Sequence, residues 1–166
     1  HTFDVLTTLK KAGVTLEWVQ VGNEIPGGML WPDGSTNNWA QLAQLLNKGY
    51  EATKAVNAKI KVIVHVDEGN NNEKFRWFFD KATEHQVKYD VIGLSYYPFW
   101  IKKDYSETIA DLQKNLNDMA SRYQKEVMVV EVGGVDEQVQ NTRELLAATI
   151  KAVRAVPDHK GLGVLY

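Results

Sequence analysis

The sequence predicts an α/β protein, a parallel sheet with helices outside it, and three observations carry that reading. Short β-branched segments alternate strictly with segments of helical periodicity, which implies right-handed βαβ units and parallel strands. No strand is followed by the glycine-rich phosphate turn of a dinucleotide-binding sheet: Gly27-Gly28 lie in a loop, and Gly133-Gly134 lack the G-x-G-x-x-G spacing. Polar residues instead collect at the C-terminal ends of the strands, as Asn23-Glu24, His65 with Asp67, Tyr96-Tyr97 and Glu131. In a (β/α)8 barrel those ends converge on one mouth, where barrel enzymes build their sites. A barrel segment accounts for all three observations; a doubly wound sheet accounts only for the first.

Each element has its own signal. Phe3, Leu6 and Leu9 give residues 2–12 a helical face, and Gly13 supplies the stop. A strand follows at about 16–22. Thr36 to Asn38 can cap a helix with apolar positions at Trp39, Leu42, Ala43, Leu46, Tyr50 and Thr53. "IKVIVHVD" (60–67) is β-branched and strand-like. Phe75, Phe78, Phe79 and Ala82 mark the next helix, and "YDVIGLSYYPFW" (89–100) is a strand ended by Pro98. Ser106 is expected to cap a helix buried through Ile109, Leu112, Leu116, Met119 and Tyr123. "EVMVVEVGG" (126–134) is a strand, Leu145, Leu146, Thr149, Ile150 and Val153 form a helical face, and "GLGVLY" (161–166) is the fifth strand.

The 166 residues make a single segment with no low-complexity linker. Lys and Arg total 19 against 21 Asp and Glu, so charge gives no case for nucleic acid or an acidic membrane. No apolar run approaches the roughly 18 residues of a membrane span. The absence of cysteine excludes disulfides, thiolate metal sites and cysteine nucleophiles. The chain begins with His1 rather than Met, and it reads as part of something longer.

A carboxylate ending an apolar strand is costly unless it is hydrogen-bonded or useful. Glu24 and Glu131 each stand at such a place, on different strands. A pair of carboxylates flanking one bond is what glycoside hydrolysis requires, one to protonate the leaving oxygen and one to attack carbon or activate water. Trp31, Trp100, Phe99, Tyr96 and Tyr97 would suit the apolar faces of sugar rings, although loop packing is the plainer role for Phe99. His65 and Asp67 share parity on their strand and so face the same side. His-x-Asp alone is a two-ligand fragment, so no metal and no cofactor is expected. "DEGNNNE" (67–73) lacks the spacing and final bidentate Glu of a calcium loop.

"WVQVGNE", "GMLWP", "RWFFD", "DVIGLSYYPFW", "DLQKNLNDMASRY" and "GLGVLY" closely resemble the arabinogalactan endo-β-1,4-galactanases of glycoside hydrolase family 53. The resemblance runs in the family's order over nearly the whole chain. It implies the C-terminal portion, about strands 4 to 8, of a retaining (β/α)8 glycosidase barrel. Carried over, Glu24 after Asn23 matches the acid/base and Glu131 the nucleophile. Asn23 matches the residue that binds the sugar 2-hydroxyl. His65 and Asp67 match hydroxyl-binding cleft residues, and Tyr96 or Tyr97 would donate to Glu131. Trp31 and Trp100 are implied as substrate-binding aromatics. The implied substrate is β-1,4-galactan, and the implied location is secreted or at the cell surface. An alternative is a sister retaining enzyme acting on β-mannan or β-glucan, and another is a carbohydrate-binding segment without turnover. Two departures stand out: "EVGG" replaces the family's usual Thr and aromatic continuation after the nucleophile, and its early strands, with their Arg, have no counterpart here. Five strands cannot close an eight-stranded barrel, so either further N-terminal residues or a second chain or copy is expected to cover the open side, and these residues alone are expected to be inactive.

Overall fold

The computed structural model describes residues 1–166. Helix α1 (Thr2–Lys11) leads to β1 (Trp18–Gln20), and a short antiparallel hairpin follows, β2 (Gly28–Met29) with β3 (Gly34–Ser35). The chain then alternates through α2 (Trp39–Val56), β4 (Lys61–Val66), α3 (Asn72–Glu84), β5 (Val91–Tyr96), α4 (Tyr105–Arg122), β6 (Glu126–Val132), α5 (Val139–Arg154) and β7 (Gly161–Val164). The long strands form one sheet in the order β1-β4-β5-β6-β7, parallel at every pairing. This is the predicted α/β architecture, a five-stranded portion of a barrel with outer helices. Strands β1 and β7 each pair on one side only.

The two faces of the sheet are unequal. Val62, Val64 and Val66 of β4, Ile92, Leu94 and Tyr96 of β5, and Val127, Val129 and Val132 of β6 join the main core beneath the helices. Helix α3 contributes Phe75, Phe78 and Phe79, all fully buried, each worth roughly 1.5–3 kcal/mol of apolar transfer. The opposite face carries a small cluster of Ile63, Val91, Met128 and Val130, with Leu162 against it. Above that cluster, toward the strand C-termini, the same face turns polar.

Several expectations need correction. The strand expected over 89–100 stops at Tyr96, because Pro98 opens a 3-10 turn at Pro98–Ile101. Asp104, not Ser106, caps α4, and Glu107 reaches back to the Asp104 N–H to complete a capping box. Phe3 is half exposed, since Leu6 is the residue that α1 buries. No helix is long and apolar enough to cross a membrane.

Candidate active site

Backbone geometry at three strand ends sets the site. After β1, Gly22 takes φ 82° and Glu24 takes φ 45°, a left-handed turn that stops the strand. The Ile25 N–H then donates to the His65 carbonyl at 3.0 Å, which ties this turn to β4. Along β5, bulky residues at 92, 94 and 96 face the helices, so Gly93 and Ser95 face the other way. Along β6 the register slips: Leu94 pairs with Val129 but Ser95 pairs with Glu131, which leaves Val130 as an extra residue. Strict alternation from Val127 and Val129 would turn Glu131 toward the helices. The bulge instead puts it on the face shared by His65 and Ser95, a common use of bulges beside reactive groups.

Glu24, His65 and Glu131 converge there, with one donor atom of each lying within 4.8 Å of the others. Glu24, after β1, and Glu131, on β6, thus approach one another at short range across the two strands between them. The His65 Nδ1 is 3.9 Å from a Glu131 oxygen and accepts from the Glu24 backbone N–H at 3.4 Å. Its Nε2 is 2.5 Å from the Ser95 Oγ, and the Ser95 hydroxyl donates to Glu24 Oε1 at 2.5 Å. Burial pushes the His65 imidazole below its ordinary range, against the opposing pull of Glu24 and Asp67. The Tyr97 hydroxyl donates to Glu131 Oε2 at 3.2 Å. Burial and the Glu131 charge push Tyr97 above the ordinary phenol range, so it stays a donor. With both ring nitrogens of His65 engaged, the cluster offers a metal only two carboxylates. Two carboxylates across a gap suit a bond held between them better.

A cleft of about 570 Å³ opens over this cluster. Of the residues singled out in the sequence, Glu24, Glu131, Asp67, Tyr97 and Trp100 line it. Trp100 is 74% exposed and packs obliquely on Phe99, which lines the cleft as well. Asp67 is ion-paired with Lys74 of α3 at 2.7 Å. Asn23 is exposed beside Glu24 and accepts from the Gln20 amide at 3.0 Å.

Three expected substrate contacts are placed elsewhere. Tyr96 is fully buried on the helix side, bonded to Thr108 of α4, because it shares parity with Ile92 and Leu94. His65 belongs to the cluster but is fully buried beneath Glu24, so it touches carboxylates and Ser95 rather than the cleft. Trp31 is 65% exposed in the loop that joins β2 to β3, packs toward Gly27, and does not line the cleft. Ser95 is the residue that sequence reasoning missed. Its signal was parity: it shares a strand face with Gly93 and Tyr97, opposite the apolar 92, 94 and 96.

The model of glycosyl hydrolase family 53 matches residues 1–166. An arabinogalactan endo-β-1,4-galactanase of Humicola insolens is 37% identical over 137 residues, covering 79% of this chain and 40% of its own. The arabinogalactan endo-β-1,4-galactanase A of Aspergillus niger is 30% identical over 189 residues, covering 100% of this chain and 53% of its own. Among solved structures, a fungal β-1,4-galactanase superposes with a TM-score of 0.87 at 31% identity, over 99% of this chain and 55% of that one. The catalytic domain of an Ignisphaera aggregans family 53 protein gives 0.83 at 28% identity, over 99% and 51%. The chain therefore spans about half the length of the relatives it matches. Xylanase structures at 11–15% identity, with TM-scores of 0.60 to 0.63, share the fold alone.

Proposed function

The chain belongs to glycosyl hydrolase family 53, and from that premise we propose that it carries the catalytic carboxylates of a retaining endo-β-1,4-galactanase. The observation that supports this most is the short gap between the Glu24 and Glu131 carboxylates at one end of a parallel sheet. Retaining pairs stand roughly 5–5.5 Å apart, whereas inverting pairs leave about 6.5–9.5 Å for a water. An oxygen-to-oxygen approach within 4.8 Å favours the first class.

In this reading Glu131 attacks the anomeric carbon while Glu24 protonates the departing glycosidic oxygen, and a glycosyl ester forms on Glu131. Glu24 then takes a proton from water, which attacks the same carbon and releases Glu131 with net retention. Tyr97 holds one Glu131 oxygen by its donated hydrogen bond and leaves the other for attack. Trp100 and Phe99 offer apolar faces to sugar rings along the cleft, and Asn23, exposed beside Glu24, is the residue assigned to the sugar 2-hydroxyl. A polymeric substrate of this kind goes with a secreted or cell-surface protein.

The test uses purified β-1,4-galactan and an aryl galactoside with a good leaving group, in the assembly that closes the sheet. Glu24→Gln is expected to lose roughly 10²–10⁴-fold on galactan yet still form the glycosyl ester from the aryl substrate. Glu131→Gln loses both activities, and azide rescues Glu131→Gly with an inverted product. Rescue of the Glu24 variant with inversion would exchange the roles. A second reading, a galactan-binding segment without turnover, draws support from the two unpaired sheet edges. Binding of galactan without release of reducing ends would select it.

A further inference from the structure

Under the main cleft lie two buried polar side chains that the reaction scheme leaves unused, His65 and Ser95. Both are almost wholly buried, at 0% and 1% exposure, with Ser95 at the floor of the cleft and His65 behind it. Buried polar groups persist when their hydrogen bonds close among themselves, and here they close on one residue. Three contacts link them: the Glu24 backbone N–H to His65 Nδ1, His65 Nε2 to Ser95 Oγ, and Ser95 Oγ to Glu24 Oε1.

The direction of each bond follows from proton counting. With any carboxyl proton of Glu24 on Oε2, Oε1 only accepts, so the single Ser95 hydroxyl proton points to Glu24. The Ser95 oxygen must then receive a proton from His65 Nε2, which makes Nε2–H the protonated nitrogen. Nδ1 is left with a lone pair, which the Glu24 N–H meets. All three bonds coexist in only one neutral tautomer, and burial keeps the ring neutral. The charged and titratable groups around it are Glu24 after β1, Asp67 after β4, Tyr97 after β5 and Glu131 on β6.

We propose that His65 and Ser95 form a closed hydrogen-bonded ring that clamps Glu24 at both its backbone and its carboxyl. The ring commits Oε1 to Ser95 and leaves Oε2 as the oxygen that carries the transferable proton into the cleft. His65 and Ser95 are thus positioning residues, and this role rests on Glu24 being the acid of the proposed function. The ring also explains why Glu24 holds a left-handed φ of 45°: the turn aims its N–H at His65 while its side chain reaches Ser95.

The ring is tested without turnover, by ¹⁵N NMR of the histidine-labelled chain at pH 7. A neutral His65 with Nε2 protonated, retained in Ser95→Thr and lost to a tautomer mixture in Ser95→Ala, is the expected result. An imidazolium, or a wild-type ring protonated on Nδ1, overturns the ring. In the assembly that hydrolyses galactan, Ser95→Ala should lose about 10- to 100-fold on galactan. It should keep kcat/KM, which reports formation of the glycosyl ester, within about 3-fold on an aryl galactoside whose leaving group needs no proton. Ser95→Thr restores galactan hydrolysis. Equal losses on the two substrates would reduce Ser95 to a packing residue and overturn the positioning role. Should no assembly release reducing ends from galactan, the functional reading fails while the NMR result still judges the ring.

Discussion

His65 lies beneath Glu24, Asp67, Glu131 and the Tyr97 hydroxyl, with burial lowering its proton affinity from the ordinary value of 6.5. Between that value and its folded one, the unfolded chain binds a proton that the folded chain refuses. Stability therefore falls as pH falls through this window and is fully present above it. Urea midpoints measured between pH 7.5 and 5 should decline in the wild type, and His65→Gln should flatten the slope. Asp118 and Asp80, held below the usual carboxylate range by Arg76 and Arg122, act only at lower pH. Tyr97 makes a different residue-scale prediction. Its hydroxyl donates to the ionised Glu131, and a hydrogen bond to a charged group contributes about 1.5–3 kcal/mol. Tyr97→Phe should therefore lower kcat on galactan by about 10- to 100-fold with little change in fold stability. An unchanged kcat would remove Tyr97 from the mechanism.

At the scale of elements, α2 lies unusually close to the loop after β1 because Gly49 has no side chain. A Cβ there would sit 2.6 Å from a Val21 methyl. Helix propensity alone predicts that Gly49→Ala stabilises by about 1 kcal/mol. Overpacking against a buried branched side chain costs about 1–3 kcal/mol, so the net effect should be a lower urea midpoint. A raised midpoint would mean that Val21 yields without cost. Strand β5 was legible in position but not in facing: its residues left Tyr96 and Tyr97 as alternatives, and the structure turns Tyr96 into the core and Tyr97 to Glu131. Nor was the facing of strand β6 legible. Its run of apolar residues carries no mark of the slip at Val130, yet that slip turns Glu131 to the mouth.

For the whole molecule, the decisive feature is an open sheet. Strands β1 and β7 expose unpaired backbone edges, and Trp18 of β1 leaves apolar surface at the first of them. The edges invite pairing with further polypeptide or with a second copy. A strictly monomeric preparation of these 166 residues should release no reducing ends from β-1,4-galactan, and sedimentation should show concentration-dependent association. Robust galactan hydrolysis by a monomer would show that five strands suffice.

The sequence by itself determined the α/β class, the order of its five long strands and the positions of Glu24 and Glu131 at strand ends. Those features follow from local causes: apolar period, β-branching, turn residues and the cost of a carboxylate on an apolar strand. The short hairpin after Glu24 and the burial of His65 were decided by the assembled fold. So was the meeting of Glu24 with Glu131, which are 107 positions apart in the chain. Only the parallel register of β1, β4, β5 and β6, with one residue of slip, brings a histidine, a serine and two carboxylates onto one face. Register depends on how neighbouring strands pack across the sheet, and no single strand carries that information in its own residues.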